Sequence, residues 1–118
     1  MTWQPSPAEE RDYDVSAEWI RTQSEGSVGA RVCCPRGHLI SHVGLFVNSA
    51  GIMTQPRLRE HKSGYFSDGA SPNDRYLKVR LICQHRGCGY RGTFLQARLA
   101  LEVARHVRRG DREMRLTD

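Results

Sequence analysis

No hydrophobic run in this sequence approaches the roughly 20 apolar residues that a membrane span requires, so no membrane partner is expected. Residues 1–30 hold no apolar stretch long enough for the core of a secretion signal, and they are crowded with acidic groups. The chain is therefore expected to be cytoplasmic, where disulfides rarely persist. Apolar residues are also sparse, at 38%. A chain of 118 residues with this composition is expected to form one domain around a thin core. Thin cores recruit a staple: a disulfide, a metal or a partner. No internal repeat or low-complexity tract occurs. No Cys-x2-Cys follows a strand as a redox motif would require. No Ser, Cys or Asp stands in a recognisable activating context. The expectation is a protein that is not an enzyme, with no small-molecule substrate evident.

What the sequence does have is charge, unevenly spread. The net charge is +5. Residues 1–30 set Glu9, Glu10, Asp12, Asp14, Glu18 and Glu25 against Arg11 and Arg21 alone, so the remainder is strongly basic. Such a body favours polyanionic partners, and an acidic leader can fold over it and screen it.

Residues 1–30 read as an acidic, polar leader with a short helix at 15–23. Its large anchors, Trp3, Tyr13 and Trp19, are expected to pack against the body or a partner. Residues 31–110 read as the folded domain. Leu39–Val47 is rich in strand formers, Asn48-Ser49-Ala50-Gly51 supplies a turn, and Ile52-Met53-Thr54 returns as a strand. Residues 55–75 are polar and unpatterned and are expected to be a long loop. Across Tyr76–Cys83, Leu77, Val79 and Leu81 alternate with Lys78 and Arg80, as in a half-buried strand. Tyr90–Thr93 re-enters the sheet. Thr93 with Gln96 predicts a capping box opening a helix over 94–109, with Leu95, Leu99, Val103 and Val107 on its apolar face. Residues 111–118 read as a tail.

Two clusters carry chemistry. The first is Cys33, Cys34 and His38; the second is Cys83, His85 and Cys88. Each lies in a tight turn with a glycine, Gly37 and Gly87. Zinc takes four tetrahedral ligands, commonly as two close pairs far apart in sequence. Cys34-x3-His38 and Cys83-x4-Cys88 supply that number. Cys33 can replace Cys34, although the proline after Cys34 favours Cys34. His85 can displace Cys83, although thiolates are the commoner structural ligands. The competing reading, free buried thiols and a surface histidine, sits poorly with two paired clusters in one short chain.

On these residues the sequence resembles the zinc-ribbon proteins, including small bacterial and phage-type members. Cys34-Pro35 is similar to the opening of a ribbon knuckle, and Cys88-Gly89-Tyr90 to the close of the second. The resemblance covers residues 31–94. It departs from the family pattern in a histidine ending the first knuckle and in wider spacing within both. It implies a small, mostly β zinc ribbon with a C-terminal amphipathic helix, α+β overall, held by one structural Zn2+ per chain. It also implies a binding role in transcription, replication or RNA processing.

The leading expectation for a partner is DNA or RNA bound by the basic body. Candidate contacts are Arg57, Arg59 and Lys62 in the long loop, with Tyr65 and Phe66 as stacking groups, Arg86 and Arg91 at the second knuckle, and Arg105, Arg108, Arg109 and Arg112 near the helix end. The competing class is a protein-binding adaptor or accessory subunit that uses Trp3, Trp19 and the ribbon face.

Overall fold

In the computed structural model of the chain, residues 4–23, 28–57, 64–66, 75 and 77–117 are described. Among them, two helices and seven strands form a small, strand-rich α+β protein. None of these helices is long and apolar enough to cross a membrane.

Ser6-Pro7-Ala8-Glu9 opens the first helix. Ser6 Oγ accepts the Glu9 amide and the Glu9 carboxylate accepts the Ser6 amide, both at 3.2 Å. This reciprocal cap satisfies two donors that a helix start leaves orphaned, and Pro7 has its φ preset for the first turn. Helix α1, Pro7–Arg21, is therefore longer than the expected 15–23 and starts inside the stretch taken as a loose leader. Tyr13, Ser16, Ala17 and Ile20 fall on one face at helical spacing and are buried. Trp19 packs at the margin of the same core. Trp3 lies outside the described residues.

Strands β1 (Gly29–Cys33), β2 (Leu39–Asn48) and β3 (Gly51–Arg57) form an antiparallel meander. β3 lies at the sheet edge, where Pro56 is tolerated because no ladder donor is needed. Two amides of β3 are taken up by side chains. Ile52 N–H donates to the Tyr13 hydroxyl at 2.8 Å, and Thr54 N–H to Gln96 Oε1 at 3.0 Å. The predicted tail contains the fourth strand of this sheet. β7, Glu113–Arg115, pairs in parallel with β1, giving the order β3-β2-β1-β7, and it brings Met114 and Leu116 into the core.

A second sheet has the order β4-β5-β6, made of β4 (Gly64–Phe66), β5 (Lys78–Ile82) and β6 (Arg91–Leu95). The alternation seen in the sequence holds here. Leu77, Val79 and Leu81 are buried, while Lys78 is exposed. The loop expected over 55–75 is shorter, because β3 runs on to Arg57 and β4 lies within it; residues 58–63 and 67–74 lie outside the described residues.

Helix α2, Gln96–Arg108, carries Leu99, Ala100, Leu101, Val103 and Ala104 into the core. It packs against β1, β2 and β3, and also against β6 and β7. The capping box expected from Thr93 is absent. β6 continues through Leu95 and holds Thr93 opposite Arg80, so its hydroxyl is two residues short of the cap position. The Gln96 side chain is instead fully buried and accepts from both the amide and hydroxyl of Thr54. Backbone carbonyls do the capping: Gln96 N–H donates to Leu77 O and Ala97 N–H to Arg75 O.

The acidic face of α1 meets the basic face of α2. Asp12 accepts from Arg105 Nε and, at 2.8 Å, from Arg108 Nη1, which also donates to Ser16 Oγ. Arg98 lies 3.7 Å from Glu9. The Arg105 hydrogen bond outweighs burial, and with Arg108 it holds the Asp12 carboxyl below its ordinary value of 3.8. A depressed carboxylate contributes stability that is complete above its unfolded pKa and is lost as pH falls through the folded one. Asp12→Asn is expected to cost about 1 kcal/mol at neutral pH. The gap from wild type, measured by denaturant unfolding, should narrow below pH 3.8. A gap unchanged by acid would mean that the carboxylate charge does not hold α1 in place.

Candidate metal centre

Both sheets send a hairpin turn to the same place. The β1–β2 turn carries Cys34 and His38, and the β5–β6 turn carries Cys83 and Cys88. In the first turn, Gly37 N–H donates to Cys34 O at 2.8 Å and Cys34 N–H to His38 O at 2.9 Å. Gly37 has φ +91°, a left-handed conformation that a side chain would strain, and the Arg115 guanidinium lies against it. In the second turn, Cys83 N–H donates to Tyr90 O and Cys88 N–H to His85 O, with Gly87 at φ +81°. These closures fold each turn back until two ligand-type side chains point at one centre.

The four ligand atoms lie within 4.8 Å of one another. Cys34 Sγ is 3.8 Å from Cys88 Sγ and 3.4 Å from His38 Nδ1, while Cys83 Sγ is 3.7 Å from His38 Nδ1. A tetrahedral ion with thiolates at about 2.3 Å and imidazole at about 2.05 Å has edges of about 3.8 Å between sulfurs and about 3.5 Å from sulfur to nitrogen. These three edges match that tetrahedron, and all four ligand atoms lie within 4.8 Å of one another. The edges do not fit a disulfide, whose sulfurs are about 2.05 Å apart. The cluster can therefore hold a metal ion, with Nδ1 as the histidine donor.

The protonation of Cys34 and His38 suits such an ion, whereas Cys83 must give up a tightly held proton to bind one. Cys34 is fully buried, which opposes ionisation, but the backbone amides of His38 and Arg36 and the neighbouring Cys88 and Cys83 thiols hold its pKa down. The His38 amide lies 3.4 Å from the sulfur. Burial, and then the hydrogen bonds its thiol makes to Cys88 and Cys34, push Cys83 up to about 11. Burial, His85 and Arg36 hold His38 below its ordinary value, which favours the neutral imidazole that a metal needs. Without an ion the site thus keeps protons that a bound ion would expel.

The two alternate ligands lie outside the cluster. Cys33 is the last residue of β1, next to a register shift, and its buried thiol is pushed up by burial and by Glu113. Cys33 is not among the residues whose ligand atoms converge. His85 is exposed and stacks its ring on His38, with centroids 3.7 Å apart and planes 12° from parallel.

The expected nucleic-acid contacts are not brought together. Arg59 and Lys62 lie outside the described residues. Arg57 ends β3, and Tyr65 and Phe66 lie in β4. Arg105 and Arg108 are engaged by Asp12, and Arg109 lies 3.5 Å from Asp111. Arg86, Arg91 and Arg112 are exposed. Two exposed arginines beside the cluster were missed in the sequence. Arg36 donates across to Cys88 O at 3.3 Å, and Arg115 reaches Gly37. Arg36 was visible within the knuckle, but Arg115 arrives only through the parallel pairing of β7, which has no local sequence signal. No protein family, curated protein or solved structure matches the chain.

Cys34→Ser, His38→Ala, Cys83→Ser and Cys88→Ser are each expected to lose bound metal, while Cys33→Ser and His85→Ala keep it. His38→Cys should keep it too, because a thiolate replaces the imidazole in a tetrahedral set. Metal content of the purified variants checks this. Loss of metal from Cys33→Ser would reassign the first knuckle.

Proposed function

We propose that the chain is a non-catalytic zinc-binding module of the zinc-ribbon kind, and that its partner is nucleic acid. The observation that carries the zinc reading is the convergence of Cys34, His38, Cys83 and Cys88 from two hairpin turns, with ligand atoms within 4.8 Å of one another. Three thiols and one imidazole favour zinc among the common divalent ions, and hard cations such as magnesium prefer oxygen. Four protein ligands leave no open position for water or substrate, which suits a structural ion rather than a catalytic one. The ion's work is mechanical: it ties the turn of one sheet to the turn of the other, and its binding free energy becomes folding free energy.

The nucleic-acid reading rests on the net charge of +5 and on exposed arginines beside the metal-bearing turns. The adaptor reading loses one support, since Trp19 packs against the chain's own core.

One zinc per chain is expected in protein purified without added metal, by native mass spectrometry. Strong chelation should unfold the two hairpins. Folded protein free of zinc would end the zinc reading. Independently, affinity for an oligonucleotide should fall steeply with salt, with a log–log slope of roughly −0.7 to −0.9 per phosphate contact. Weak binding that ignores salt would count against nucleic acid and favour a protein partner.

A further inference from the structure

The metal-bearing end of the molecule stands apart from the α2 surface in two respects. The first is charge. Over α2, carboxylates answer arginines: Asp12 meets Arg105 and Arg108, Glu9 meets Arg98, and Asp111 meets Arg109. Arg36, Arg86, Arg91 and Arg115 are all exposed, and none has a carboxylate within 4.0 Å among the described residues. All four belong to the knuckle end. Arg36 bridges to the second turn through Cys88 O. Arg115 lies on Gly37 of the first turn. Arg86 lies within the second turn, and Arg91 opens β6 just beyond it.

The second respect is a fixed ring. His85 is exposed although one face of its imidazole is covered by His38 at 3.7 Å. Its exposure therefore comes from its edge and its other face. The ring is held on a side chain that the metal would itself immobilise, so little ordering cost remains when a planar group settles on it. Unanswered arginines around a rigid, open aromatic face match phosphates joined to unpaired bases. A duplex presents phosphates but keeps its bases stacked inside. An acidic peptide presents charge but no base to stack.

We infer that the knuckle end binds single-stranded nucleic acid, with a base stacked on His85 and phosphates held by Arg36, Arg86, Arg91 and Arg115. This rests on the nucleic-acid reading above, and it moves the contact away from the helix arginines. It leaves α2 and its ion pairs as scaffold.

The test is fluorescence anisotropy with the zinc-loaded full chain, using labelled oligo-dT, oligo-U of equal length and a blunt duplex. Both single strands should bind more tightly than the duplex, and the two arms rank DNA against RNA. His85→Ala should weaken single-strand binding by at least about fivefold while keeping one zinc, and His85→Tyr should restore it. Arg86→Ala with Arg91→Ala should flatten the salt slope by roughly 1.4. Arg109→Ala with Arg112→Ala should leave both measures unchanged. If His85→Ala lost zinc, the Arg86/Arg91 pair and His85→Tyr would decide the matter. Binding that the knuckle variants leave intact but Arg109/Arg112 abolishes would overturn this inference and spare the nucleic-acid reading. So would equal duplex affinity indifferent to His85. Polyglutamate competing as well as oligo-dT, again indifferent to His85, would point to an acidic protein and overturn it. Binding to none of the three oligonucleotides would remove both, leaving the zinc reading to stand on metal content.

Discussion

Three thiols and an imidazole facing one another within 4.8 Å impose the constraint around which the structure is arranged. Such groups are weak hydrogen-bonding partners for one another. Two of the thiols, Cys34 and Cys83, are buried, where unmatched polarity is costly. An ion at their centre would turn that cost into four strong bonds. The turns that carry them are shaped accordingly, with left-handed glycines and amides closing each loop. Each turn caps one sheet, so the cluster sits where the sheets converge.

The core solves a different problem. The apolar fraction is low, and the chain uses α1 to complete what α2 and the first sheet begin. Charge reinforces the packing. The acidic N-terminal quarter and the basic remainder, which look like opposed surfaces in sequence, meet across the α1–α2 contact, where Asp12 is shared by two arginines. Net charge therefore overstates how much positive surface the helices offer. Arg36, Arg86, Arg91 and Arg115 at the turns have no carboxylate within 4.0 Å among the described residues, and neither do Arg11 and Arg112 elsewhere.

Much of this was legible in the sequence. The two ligand clusters were legible from their residues, with Pro35 favouring Cys34 and ligand chemistry rather than spacing favouring Cys83 over His85, and β5 was legible from its alternation. Capping chemistry was read correctly in kind but assigned to the wrong helix. Ser6-Pro7-Ala8-Glu9 has the cap, the N1 proline and the reciprocal acid together, yet the acidic content around it drew attention as a leader. Thr93-x2-Gln96 has the same pattern, but strand pairing with Arg80 claimed Thr93 first, and a buried Thr54 claimed Gln96. Tertiary partners outcompeted a local motif. β7 was illegible for a related reason: three residues cannot announce a parallel pairing with a strand so distant in the chain. The placement of Arg115 went with it.

The hydroxyl of Tyr13 and the amide of Gln96 have a significance beyond the bonds they make. β3 is an edge strand, and a bare edge is a template on which another chain can extend the sheet. At Ile52 and Thr54 the donors such a chain would need are already occupied, by one side chain from each helix. The helices thus guard the sheet against self-association as well as cover its face. A chain that lost its first helix would give up part of its solubility along with part of its core.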